Sequence, residues 1–149
     1  MVSCDNNPEQ RRATGPVFGT TYSIIYDSSQ NFETAFDSLF FAVNRSMSTY
    51  SPTSDISKVN LNETVVIDQH FETVFNTSKE IYTTTQGKFD PTIGAVVNAW
   101  DFGPEGEIEE LDSLKIHKLM LSVGMDKVSL SNGVISKPKA TRLDFNAIA

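Results

Sequence analysis

The apolar residues of this chain change their spacing near Asn31, and that change limits what it can fold into. From Val17 to Tyr26 the pattern alternates, with Phe18, Thr20, Tyr22, Ile24 and Tyr26 on one face, which is the period of a half-buried strand. Gly19 inside that run marks a point where backbone or ligand approaches closely, or else a strand bulge. From Asn31 onward Phe32, Ala35, Phe36, Leu39, Phe40, Val43 and Met47 follow helical spacing and form one broad stripe, expected to be core. Asn31 suits the N-cap of that helix, and Glu33 lies at the positive end of its dipole.

The remaining elements mix the same two periods. Residues 46–60 read as a loop, rich in Ser and Thr, with Pro52. A second amphipathic helix follows Asp68 as cap, through Phe71, Val74, Phe75, Ser78, Ile81 and Tyr82, and Gly87 stops it. A third is expected from about Asp112 to Val123, ended by Gly124. Residues 127–130 and 134–136 flank Ser131-Asn132-Gly133, a strong hairpin signal, and residues 142–145 read as a further short strand. Strands and helices intermingle without a regular βαβ repeat, so the fold class is α+β. Residues 1–15 are polar and aperiodic and read as a flexible N-terminal tether, with the folded domain at 16–149.

Composition narrows the partners. Apolar residues make up 39% of the 149 positions, enough for one folded domain. The net charge of −7 argues against nucleic acid or an anionic membrane surface as a partner. A nucleotide ligand must then be held by local donors and a cation. One cysteine, Cys4, excludes an internal disulfide framework and a Cys-based zinc site. No stretch is long and apolar enough to span a membrane. Val2-Ser3-Cys4-Asp5 is similar to the end of a bacterial lipoprotein signal, in which the cysteine becomes the lipidated first residue. An accidental cysteine reads equally well.

The chemistry concentrates in Lys88-Phe89-Asp90-Pro91-Thr92-Ile93-Gly94, running on to Val97-Asn98-Ala99-Trp100-Asp101-Phe102-Gly103. Proline keeps its predecessor out of the α region, and its own φ suits the first turn of a helix. Asp90 is therefore expected at a strand-to-helix junction, beside free backbone N–H groups. Taken alone it is an N-cap before a buried helix that ends in a core Trp.

This stretch resembles the FDPT-x-G-x-hydrophobic-x-N-x-W-x-FG segment of the FAD:protein FMN transferases, the ApbE family. Three more segments match that family in the same order: Phe18-Gly19-Thr20-Thr21-Tyr22; Met47-Ser48-Thr49-Tyr50 with Ser54 and Asn60; and Leu143-Asp144-Phe145-Asn146-Ala147-Ile148-Ala149. The resemblance implies a mixed sheet with packed helices and an FAD site contacted by Phe18, Tyr50, Lys88, Phe89, Asp90 and Asp144. Many family members carry methionine where Phe18 stands. Tyr50 would offer its flat face, Lys88 its backbone, and the Asp90 and Asp144 carboxylates would accept from amino or hydroxyl groups. The carbonyl of Ala147 matches a Mg²⁺ ligand; the family's other ligands, an Asp and a Thr, belong to a later region. His70 and His117 lie outside every matched segment and read as surface residues, and the acidic run from Glu105 to Glu110 reads as a solvated loop.

What the resemblance implies about function is a Mg²⁺-dependent transferase that attaches FMN from FAD to a threonine of a partner, the acceptor flavoprotein subunit of a membrane redox complex. Cys4 would be its lipid anchor, on the periplasmic side of the inner membrane. Two alternatives stay open: a Mg²⁺-dependent FAD pyrophosphatase giving FMN and AMP, and a non-catalytic flavin-binding module. No residue is assigned the catalytic step. The family continues beyond the segment matched by Ala149, so these 149 residues alone are expected to be inactive, to lack a strong Mg²⁺ site and to self-associate through an apolar surface around Leu143 and Ile148. Phe18, Tyr50, Phe89, Asp90 and Asp144 are expected on one FAD-sized cleft.

Overall fold

The computed structural model describes residues 9–104 and 112–146; Cys4, the acidic run at 105–110 and Ala147 lie outside them. The chain divides into two compact units, one ending at Asn44 and the other beginning at Arg45.

The first unit is a hairpin and most of a helix. Strands β1 (Gln10–Val17) and β2 (Thr20–Asp27) pair antiparallel from Val17↔Thr20 to Gln10↔Asp27. Phe18 and Gly19 form the two-residue loop between them, with φ of +48° and +80°. Two successive positive φ values are what a type I′ turn needs to match the twist of its strands. Gly19 is therefore a turn residue, and the single strand expected over 17–26 is the second half of a longer hairpin. The polar run expected to be tether is strand from Gln10 onward. Its pattern hid this because its outward side chains are polar; Arg12 Nε, for example, donates to Ser23 Oγ across the ladder at 3.1 Å.

Helix α1 (Glu33–Met47) begins where the change of period placed it, and Asn31 Oδ1 accepts the Glu33 N–H at 2.8 Å. Its stripe packs on the β2 tyrosines. Tyr22 lies 4.8 Å from Phe40 between ring centroids, and Tyr26 lies 5.7 and 5.6 Å from Phe32 and Phe36. Gly15, opposite Tyr22, leaves room for that ring: a Cβ there would sit 2.9 Å from it. The stripe is half-buried and not the sealed core expected, since Leu39 remains 48% exposed.

The second unit holds the main core: Ile56, Val59, Phe71, Phe75, Met125, Val128, Leu143 and Phe145, with Ile67 at its margin. Helix α2 (Asp55–Asn60) lies within the segment expected to be loop; Ser54 caps it, and Ile56 and Val59 turn inward. Helix α3 (Gln69–Thr84) starts at the expected cap, with Asp68 Oδ1 accepting the Phe71 N–H at 2.9 Å. Gln86 and Gly87, at φ of +55° and +78°, end it. Helix α4 (Gly94–Ala99) begins after a turn, and α5 (Ser113–Met120) is capped by Asp112. A 3₁₀ turn at Met125–Lys127 leads into β3 (Ser129–Ser131) and β4 (Val134–Ser136), joined through Asn132 and Gly133 at φ of +51° and +74°.

The class is α+β. Among the described residues the strands form two antiparallel pairs and one isolated parallel bridge, Ile93↔Arg142, which is all the regular pairing of the strand expected at 142–145. Among the described residues no helix is long and apolar enough to cross a membrane.

Candidate functional site

A cleft of about 300 Å³ opens in the second unit, lined by Tyr50, Asn60, Gly94, Asn98, Arg142 and Asp144 among others. Several loops meet there, and hydrogen bonds fix each one. The Ser54 hydroxyl accepts from Ser57 N at 3.2 Å and donates to Ser48 O at 2.7 Å, folding the loop that carries Tyr50 back onto the start of α2. Tyr50 leaves that loop 64% exposed, and its hydroxyl donates to Phe102 O at 3.2 Å. Asn60, the last residue of α2, donates from Nδ2 to Leu143 O and accepts Leu143 N–H at Oδ1, both at 2.8 Å. An asparagine amide thus replaces a strand partner for Leu143. Leu143 and Phe145 go into the core, so the extended backbone turns Asp144 to the cleft.

The floor is set by Gly94, whose N–H donates to Arg142 O at 3.0 Å. A Cβ on Gly94 would lie 2.8 Å from that oxygen, so only glycine permits the approach. Behind it, Asp90 Oδ1 accepts both the Thr92 N–H at 2.9 Å and the Thr92 hydroxyl at 2.6 Å, while Oδ2 accepts the Met125 N–H at 3.3 Å. Thr92 is fully buried, and its oxygen also accepts the Gly124 N–H at 2.7 Å. Two loops are thereby locked to the start of α4.

Charge in the cleft is separated. Arg142 and Asp144 are the cation and the carboxylate on its lining, and no ion pair joins them among the described residues. Arg142 Nη1 donates to Lys139 O at 2.7 Å and Thr141 O at 3.3 Å. Asp144 Oδ1 accepts the Asn146 N–H at 2.7 Å, and Asn146 Nδ2 reaches Thr49 Oγ1 at 3.0 Å. Beside this segment, burial and the charge of Arg142 push Lys137 down to about 8.

The family model of the ApbE family matches residues 18–149. The chain belongs to the ApbE family. It is 29% identical to the FAD:protein FMN transferase of Vibrio cholerae over 92% of this chain and 44% of that protein. It is also 29% identical to the same-named protein of Haemophilus influenzae, over 95% of this chain and 43% of the relative. The chain thus spans less than half the length of these curated relatives. Among solved structures, the Vibrio cholerae flavin transferase ApbE superposes with a TM-score of 0.82 at 29% identity, covering 92% of this chain and 48% of that one. The apo flavinyl transferase ApbE of Pseudomonas stutzeri reaches 0.86 at 23% identity, over 95% and 48%, and bears on the fold alone.

Of the residues matched to ApbE contacts, the structure brings Tyr50 and Asp144 together on one cleft. Asp90 stands apart from that lining, and its carboxylate is bonded to Thr92 and Met125. The expected strand-to-helix junction is a turn closed by this carboxylate, because Thr92 offers two donors to it, and α4 starts only at Gly94. Phe89 is half-buried and donates its N–H to Thr85 Oγ1 at 3.2 Å, while Lys88 is exposed. Phe18 belongs to the first unit, where it is 49% exposed and packs edge-on to Phe40 at 5.9 Å. The Mg²⁺ ligand assigned to Ala147 lies outside the described residues, and among those described no group of three or more His, Cys, Asp or Glu could hold a metal ion. His70 and His117 are exposed. Arg142 was not singled out by the sequence, where it read only as the first residue of a short strand. Asn60 and Asn98 stood in the matched motifs without a role.

Proposed function

We propose that the protein carrying this chain is a Mg²⁺-dependent FAD:protein FMN transferase that flavinylates a threonine of a partner flavoprotein subunit in a membrane redox complex. The observation that carries this reading is the meeting of Tyr50 and Asp144, from distant segments, on one cleft. At about 300 Å³ the cleft is at the small end of ligand sites and fits one ring system of a dinucleotide, not the whole. The exposed Tyr50 ring offers a flat apolar face, pinned by its hydroxyl. Asp144 keeps Oδ2 available to accept from an amino or hydroxyl group. The relatives' name supplies the reaction, and the choice of Mg²⁺ rests on the likeness of residues 143–149 to the family segment. A lipid anchor at Cys4 on the periplasmic side belongs to the same proposal.

In this reaction the threonine oxygen bonds to the phosphorus of the FMN half. The bridging P–O bond breaks, AMP leaves with the bridging oxygen and the electron pair, and the hydroxyl proton is released. The residues described here bind and orient: Tyr50 against a ring, Asp144 at polar edges, Asn60 holding the strand that presents Asp144.

The test uses the full-length protein with FAD, Mg²⁺ and an acceptor subunit. An FMN adduct on one acceptor threonine, matched by AMP release and abolished by EDTA, is the expected result. AMP and free FMN without an adduct would make the protein a pyrophosphatase; FAD binding without AMP would make it a flavin-binding module. Tyr50→Ala and Asp144→Ala should each weaken FAD binding tenfold or more.

A further inference from the structure

We infer that Arg142 is the phosphate-recognising residue of the cleft, so that the site selects phosphorylated ligands over neutral flavin or nucleoside. This deepens the proposed function and rests on it for the identity of the ligand. The chain as a whole is acidic, with a net charge of −7, so its average field repels a dinucleotide diphosphate. Compensation must be local. Arg142 supplies it: among the described residues it is the cation on the cleft lining, and Asp144, on the same lining, forms no ion pair with it.

The guanidinium is held for this task. Its backbone is fixed by the Gly94 N–H and the bridge to Ile93. Nη1 is bound by the carbonyls of Lys139 and Thr141, while Nε and Nη2 donate to nothing among the described residues. A planar fork with one nitrogen anchored and two free presents a pair of donors in the geometry that phosphate oxygens accept. Lys137 is not available for that role, because its ammonium donates to Asn62 Oδ1 at 2.9 Å and Thr141 O at 2.8 Å. Asp144, with Oδ1 taken by the Asn146 N–H and no ion pair among the described residues, completes the pattern, since a nucleotide brings both an anion and hydroxyl or amino donors.

The experiment compares wild type, Arg142→Gln and Arg142→Lys in the full-length protein, by calorimetry with two ligand pairs: FAD against riboflavin, and ADP against adenosine. Loss of Arg142 is expected to weaken FAD and ADP at least tenfold, to leave riboflavin and adenosine within twofold, and to flatten the salt dependence of FAD binding. Arg142→Lys should recover part of the loss. The neutral ligands also report folding, because a collapsed cleft would lose all four. Equal FAD affinity in wild type and Arg142→Gln, or an equal loss for charged and neutral ligands, overturns the inference while leaving the proposed function standing. Arg142-dependent binding of ADP without FAD binding sinks the flavin reading and keeps the inference. Binding of neither ADP nor FAD by wild type sinks both.

Discussion

Asn60 and Leu143, 83 positions apart, are joined through both atoms of the Asn60 amide at 2.8 Å. Among the described residues no strand lies beside Leu143 on that side, so the side chain of a helix-terminal residue satisfies a buried peptide group that a sheet would otherwise satisfy. Asn60→Ala leaves the Leu143 N–H and C=O unpaired beside the core. The expected loss is on the order of 2–4 kcal/mol, from two groups at roughly 1–3 kcal/mol each. Asn60→Asp retains the acceptor but sets a carboxylate against the Leu143 carbonyl, and should be at least as damaging as Asn60→Ala. Urea denaturation of the three proteins orders them; an Asn60→Asp variant as stable as wild type would show that the second bond contributes nothing.

Asp90 accepts three hydrogen bonds from Thr92 and Met125, and Thr92 passes the brace on to Gly124. Bonds to a charged acceptor contribute roughly 1.5–3 kcal/mol each at most, and less where the group is partly wet. Asp90→Ala should therefore destabilise the protein by about 2–4 kcal/mol and should also weaken FAD through loosening of the Gly94 floor. Asp90→Asn keeps the carbonyl acceptor for the Thr92 N–H and should recover part of the stability. If Asp90→Ala weakened FAD while leaving the melting temperature unchanged, the carboxylate would be a direct ligand contact and not a brace.

The parts legible in the sequence were those whose cause is local. Helices α1 and α3 could be read because a 3.6-residue stripe coincides with a cap at Asn31 and Asp68, and each cap forms; α5 was expected from about Asp112 with a stop at Gly124, and Asp112 caps it. The turns at Asn132-Gly133 and Gln86-Gly87 were marked by glycines. Helix α2 was not read, because its six residues give only two inward positions, Ile56 and Val59, too few to show a period. Strand β1 was missed because pairing with β2, and not alternation of its own, makes it a strand. Within the site, the outward turn of Asp144 followed from Leu143 and Phe145. The double bond to Asn60 and the anchoring of Arg142 arise from long-range contacts that no spacing records.

Asp68 offers a pH-dependent test of its capping role. Burial pushes its carboxyl up, but bonds from the Phe71 N–H and the Ser46 hydroxyl, with the charges of His70 and Arg45, hold it below the ordinary value. With the folded value lowered, the unfolded state binds more protons as pH falls. The contribution is therefore complete above the unfolded value near 4 and disappears as pH drops through the folded one. Asp68→Ala should cost about 1 kcal/mol at pH 7, with the gap to wild type closing below about pH 4. A gap that stayed constant down to pH 3 would mean that the charge of this carboxylate plays no part.

Lys137 carries the opposite sign. Burial, and then the charge of Arg142, push it down to about 8, while its ammonium is tied to Asn62 and Thr141. In the unfolded chain a lysine titrates near 10.4. Between these values the unfolded state holds the proton and the folded state does not, so stability attributable to Lys137 rises with pH across that window. Below pH 8 both states are charged, and the folded one bears the cost of holding an ammonium out of water beside a guanidinium. Lys137→Met removes that cost together with the two hydrogen bonds. The difference in unfolding free energy between wild type and Lys137→Met should therefore be flat below pH 7 and move in favour of wild type from pH 8 to 10. Using the difference cancels the tyrosines and other lysines that titrate in the same range. A difference that stayed level through this window would place the Lys137 amine at its ordinary value and leave its bonds to Asn62 and Thr141 as surface contacts.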